Sequence, residues 1–252
     1  SIHSASTLAI LSVLYLIVIL FEPTYAWIYA VAGVLTVIIG IFCKFYFPQF
    51  NEIVEQRKEL VFRKRYWLYY ALTFLAGARR QIFMVFAGFL LVQKFGFPLD
   101  KMVLLFLVNA GITIWIAPKL GLLVERIGER KALTLEYIGL IIIFLGYAVV
   151  DSMNIALVLY ILDNVFFSIS FAINTYFQKI ADPADIASTS GISFTINHIA
   201  AVLLPALLGL VWIENHGAVF LIGASIAVAS LILVRAIPDA PEIGKETYWT
   251  IN

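Results

Sequence analysis

One cysteine, three histidines and three methionines are spread through 252 residues, and only 13% of the chain is Asp, Glu, Lys or Arg. Each scarcity removes a class of function. The lone Cys43 excludes an intramolecular disulfide and any cysteine-built metal cluster. His3, His198 and His216 lie too far apart in sequence to form a metal-ligand motif. A net charge of +1 provides no field for attracting nucleic acid, so none is expected as a partner. No nucleotide-binding loop, Ser/His/Asp set or pair of catalytic carboxylates occurs, which leaves an enzyme without support and no cofactor required. The first 43 residues hold neither Lys nor Arg, so the basic start of a cleavable signal is missing too.

What is there is apolar. The chain is 62% hydrophobic with a mean hydropathy of +0.97, the composition of an integral membrane protein rather than a water-soluble globule. Crossing a hydrocarbon core takes about 20 apolar residues in a helix. Eight runs qualify: 4–21, 25–46, 66–92, 102–118, 132–150, 154–177, 190–213 and 217–236. Glu22, Pro23 and Thr24 alone separate the first two, a tight hairpin. The runs do not alternate and are about twice as long as a spanning strand, so the expected fold is all-α, a polytopic helical membrane protein.

Charge placement sets the expected orientation. Segments 43–65, 119–131, 178–189 and 235–252 hold thirteen of the 17 Lys and Arg, whereas the opposite loops hold only Lys94 and Lys101. The positive-inside rule then puts both termini in the cytoplasm of a bacterial inner or plasma membrane. Tyr66, Trp67, Tyr69 and Tyr70 follow directly on Arg63, Lys64 and Arg65, as an aromatic belt beside a basic anchor would. Phe50, Ile53, Val54 and Val61 recur at helical spacing among Glu52, Glu55, Lys58 and Glu59. That pattern fits either a surface amphipathic helix or a solvated linker.

The run GLLVERIGERKAL, Gly121 to Leu133, is a closely charged turn between two apolar spans. Gly128 suits a backbone that other residues disfavour, and Gly121 suits close helix approach. Glu125 can accept hydrogen bonds from free amides at a helix start, while Arg126, Arg130 and Lys131 anchor the turn. The run resembles the signature loop of the major facilitator superfamily, G-x-L-a-D-R-x-G-R-R/K-x-x-L. Gly121, Leu123, Arg126, Gly128, Arg130 and Leu133 fall on its positions. Glu125 replaces the usual Asp, and Glu129 stands where a basic residue is commoner.

The resemblance implies twelve helices in two six-helix halves, with this loop between the second and third helices of a half. Residues 66–236 would then be a C-terminal six-helix bundle, 1–47 the last two helices of the preceding bundle, 48–65 the linker and 237–252 a cytoplasmic tail. On that reading four helices of the standard set are not in this sequence, which opens on Ser1. A second polypeptide, a longer parent chain or a reduced relative would each account for them.

Polar residues inside the spans are the candidate site. Arg79 and Arg80 occupy the middle of the third run, where each charge costs about 2.5–3.5 kcal/mol if it meets lipid. Adjacent helical residues point about 100° apart, so one of the two is expected on a central pathway and the other inside the bundle. Asp163 reads as the only acid deep within another span and leads a stripe with Ser170 and Asn174, seven and eleven positions later. It is expected to pair with one arginine, either as a contact that a solute anion or a proton competes for, or as a permanent bridge between helices. Asn109 with Thr113, and Ser190, Ser193 and Asn197, share helix faces; His198 beside them is either a proton-coupling group or a neutral hydrogen-bonded ring. Pro205 should kink the seventh run. Gly139, Gly146, Gly217, Gly223, Ala224 and Ala227 read as packing surfaces.

These observations lead to a secondary active transporter that moves a small solute by alternating access. The expected solute-binding residues are Arg79, Arg80, Asp163, Asn109, Asn174 and Asn197, with proton coupling through Asp163 or His198 and conformational control by Gly121, Glu125, Arg126, Gly128 and Arg130. The arginines make an organic anion the favoured cargo. The alternatives are a non-transporting membrane subunit that scaffolds a larger complex and a sensor that binds without moving its solute.

Overall fold

The computed structural model describes residues 25–47 and 62–249, with isolated positions (9, 10, 12, 13, 16 and 20) before them. Most of the first expected span and the whole of the 48–61 segment lie outside the described residues. Among the described residues regular structure is helical, apart from one isolated bridge between Glu242 and Lys245. Among the described residues seven helices are long and apolar enough to cross a membrane.

The first, α1, spans Tyr25–Tyr46. Helix α2 spans Trp67–Gln81 and is prolonged through two wide π-helical stretches, Ile82–Ala87 and Leu90–Lys94. Helices α3 (Leu99–Ile127) and α4 (Glu129–Val149) follow. Next come α5 (Met153–Phe167) and α6 (Phe171–Ile180), which form one membrane-length rod with a 3-10 turn at Ser168–Ser170. The last two are α7 (Ile186–Glu214) and α8 (His216–Leu233).

Local chemistry sets the joints. Gly96, at φ +63°, and Pro98 turn the chain from α2 into α3. The Asp182 carboxylate accepts from the amide of Ala184 at 3.0 Å with Pro183 in the first position of the short turn before α7, and the Asn215 side chain accepts from the amide of Ala218 at 3.1 Å to start α8. Helix α3 runs nine residues beyond the expected 102–118 boundary, through Pro118, Lys119, Glu125 and Arg126. Charged residues end an apolar run without ending a helix, because their backbone continues the hydrogen-bond ladder. The signature loop therefore contracts to a single non-helical residue, Gly128.

Packing between Lys64 and Ala236 divides into two apolar clusters. One gathers Phe86, Leu140, Phe144, Tyr147, Trp212 and Phe220. The other gathers Tyr66, Tyr69, Leu133, Tyr137, Tyr176 and Phe177 at the Gly128 end. On α2, α5 and α8 the chain passes from one cluster to the other across Arg79, Asp163 and Ser230, all buried. Leu135, Ile142, Val149, Leu210 and Ile213 are exposed, as lipid-facing side chains are. Helix α1 has exposed side chains at every described position. The chain after α8 folds back: Tyr248 N–H donates to the Ala236 carbonyl at 2.8 Å, the Tyr176 hydroxyl donates to the carbonyl of Glu246, and Arg130 reaches Asp239 at 3.1 Å.

Candidate functional site

A cavity of about 430 Å³ opens between α2, the α5–α6 rod and α7. Helix α2 contributes Thr73, Gly77, Arg80 and Gln81; the rod contributes Phe167, Ser170 and Asn174; α7 contributes Phe194, Asn197 and His198. Arg80 lies over the Phe167 ring, with its guanidinium carbon 4.9 Å from the ring centroid. Asn174 receives the Tyr69 hydroxyl at 3.5 Å, and Tyr69 in turn is bonded to Ser193 at 2.9 Å, which ties the cavity wall to a buried hydroxyl relay. Gly77 is a requirement of shape: a methyl there would stand 2.6 Å from the Asn197 carboxamide oxygen. Ring packing between Phe194 and His198, centroids 3.9 Å apart, fixes the imidazole.

Arg79, one residue from Arg80, points into the protein. Its guanidinium donates to Ser230 of α8 and to Glu136 Oε1 of α4 at 3.4 Å, and it covers the Tyr137 ring at 4.5 Å. Arg79 and Glu136 side chains are both fully buried. The structure thus divides the arginines, Arg80 to the cavity and Arg79 to the bundle interior. The expected Asp163–arginine pair is not formed. Asp163 is buried with neither carboxyl oxygen hydrogen-bonded among the described residues, although it is close enough to Arg79 and Glu136 to interact electrostatically.

Glu136 was within reach of the sequence, inside the 132–150 run, but it lies one turn from the run's edge and beside charged Lys131, where an acid passes for an interface residue. The polar stripe also breaks. Ser170 and Asn174 line the cavity but Asp163 does not; the 3-10 turn at Ser168–Ser170 winds the helix further per residue and adds roughly 60° to the angle between Asp163 and Asn174. Asn109 is likewise away from the cavity: it is buried on α3, its carbonyl accepts from Thr113 at 2.8 Å, and Thr113 accepts from Asn164 at 3.0 Å. Of the six expected solute-binding residues, Arg80, Asn174 and Asn197 share the cavity, whereas Arg79, Asp163 and Asn109 do not reach it.

The signature turn is resolved in detail. Gly128 has φ +83° and ψ +159°, a region closed to residues with a side chain, and its amide caps α3 on the Val124 carbonyl at 2.9 Å. Glu125 is exposed in the last turn of α3 and caps no helix start; α4 begins without a side-chain cap. Glu129 has a physical account. Nearly buried, it accepts from Lys179 Nζ at 2.6 Å, so the carboxylate that departs from the family pattern meets a lysine at the end of α6.

A second clamp lies close to this end. The buried Asp185 carboxylate binds Arg63 at 2.6 Å and Arg65 at 3.3 Å, and the hydrogen bond to Arg63 raises the proton affinity of that guanidinium above its ordinary value.

Comparison with curated proteins and with solved structures returned no match. The family profile of the Major Facilitator Superfamily matches residues 2–205. That match covers most of the chain and agrees with the seven membrane-length helices and the glycine turn at 128; the chain belongs to the Major Facilitator Superfamily, a family of membrane transporters rather than enzymes.

Proposed function

We propose that the protein is a secondary active transporter of a small organic anion, with Arg80 as the cation that receives it. One observation carries this reading: among the described residues the cavity wall holds one guanidinium, three carboxamides and no acid. An arginine with a carboxylate partner is committed to structure; Arg80 has none among the described residues, in contrast to Arg79. Alternating access would expose this wall to each side of the membrane in turn. Residues 66–236 act in this scheme as one half of the carrier, the 1–47 segment belongs to the other, and the basic Gly128 end faces the cytoplasm.

Proton coupling is assigned to Asp163, a buried carboxyl without a hydrogen-bond partner among the described residues, or to His198 on the cavity wall. Uptake of radiolabelled carboxylates into liposomes, with and without an imposed proton gradient, tests both statements. Arg80→Ala should lower anion uptake by about tenfold, the scale of a lost charge-assisted bond. Unchanged uptake overturns the anion assignment, and uptake indifferent to the gradient in the wild type overturns coupling.

The competing reading, a membrane subunit that scaffolds a complex, draws on α1, whose described side chains are all exposed. Stable copurification with a partner and no flux of any solute would select it.

A further inference from the structure

We infer that the occupant of the cavity is a singly charged carboxylate that also carries hydroxyl groups, a hydroxy or sugar acid, with its carboxylate on Arg80 and a hydroxyl donating to His198 Nε2. The inference rests on the reading of the cavity as an anion site and adds the number of charges and the nature of the rest of the molecule.

The charge count comes first. Arg80 is the only Lys or Arg among the described lining residues, so this half of the site offers one positive charge, enough for one carboxylate. Phe167 covers a face of the guanidinium, which leaves the N–H edge as the surface presented to a ligand. That edge matches the two oxygens of one carboxylate. A second carboxylate would find no second arginine among the described residues of this wall.

His198 defines what lies beside the carboxylate. Its Nδ1 is 2.8 Å from the Phe194 carbonyl, and a carbonyl only accepts, so Nδ1 carries the hydrogen. In a neutral ring Nε2 is then an acceptor. An acceptor on the wall that carries Arg80 repels a further carboxylate and gains nothing from a methylene, but it suits the O–H of an alcohol. The carboxamides continue the pattern. Asn174 has its oxygen engaged by Tyr69, which leaves the amide N–H₂ to donate, and Asn197 is held with its oxygen against Gly77. Hydroxyl groups both accept and donate, so they can satisfy amide donors and an imidazole acceptor together. A cavity of about 430 Å³ has room for a chain of about six carbons.

The test uses four six-carbon probes on the full chain in lipid nanodiscs, with empty nanodiscs subtracted: gluconate, a monoanion with hydroxyls; hexanoate, a monoanion without them; glucarate, a dianion with them; and sorbitol, neutral with them. Calorimetry should rank gluconate about tenfold tighter than hexanoate and glucarate, with sorbitol weakest, because hexanoate forgoes the hydrogen bonds to His198 and the carboxamides, glucarate brings a second charge, and sorbitol lacks the carboxylate. His198→Leu should lower the preference for gluconate over hexanoate by about threefold, the share of one hydrogen bond among those the hydroxyls make. Hexanoate or glucarate binding as tightly as gluconate, or a gluconate preference undiminished by His198→Leu, overturns this inference and leaves the anion reading standing. Failure of every anion to outbind sorbitol overturns the anion reading, and the inference with it.

Discussion

The buried ion pair sets up the sharpest test of how this bundle is held together. Arg79 and Glu136 are both without solvent exposure and 3.4 Å apart, with Ser230 as the other hydrogen-bond partner of the arginine. Arg79→Met removes the cation that faces Glu136 and leaves its carboxylate in an apolar layer. Breaking one side of a buried pair costs about 3–5 kcal/mol, whereas replacing both members by apolar residues of similar volume is close to neutral. For a chain of this length the single substitution should lower the melting temperature by about 10 °C. Arg79→Met/Glu136→Leu should recover most of that loss. Circular dichroism of the purified protein in detergent reads both. The reasoning fails if Arg79→Met melts like the wild type, or if the double variant is no more stable than the single one, since either result would mean the charge left behind is not what costs stability.

Glu129→Arg restores the residue type common in the family but places a second cation beside Lys179. It should cost about 1–2 kcal/mol, limited because half of the Lys179 side chain is in solvent. Adding Lys179→Glu should restore the pair and the melting temperature, and a single variant as stable as the wild type would contradict the contact. Gly128→Ala forces a side chain into a conformation that costs about 1–3 kcal/mol. A melting temperature unchanged by this substitution would show that the turn relaxes into another geometry.

The spans were legible because twenty apolar residues in a row have few alternatives, and the runs from 25 onwards each fall on a described helix. The ends were less so. Helix α3 continues past Pro118 through three charged residues, a stretch that hydropathy alone scores as a loop. Pairings across the chain were not legible. Glu129 meets Lys179 and Arg79 meets Glu136 through the packing of separate helices, and no local spacing encodes which helix lies beside which. The division of labour between Arg79 and Arg80 followed from helix geometry, but the identity of the inward partner did not. A single 3-10 turn, invisible in the residue pattern, moved Asp163 off the face it was expected to share with Asn174.

Arg79 also constrains the order in which this protein can be completed. Helix α2 leaves the ribosome with two arginines near its centre, and one of them finds its carboxylate 57 residues later and its serine 151 residues later, on the last helix. Until α8 emerges, α2 has no finished place in lipid. An arginine without these partners costs about 2.5–3.5 kcal/mol at the bilayer centre, so the third expected run reaches its most stable placement only once α4 and α8 have packed against it. A chain interrupted before Ser230 would leave Arg79 without its α8 partner, and the bundle without the contact that ties α2 to α8 at this level.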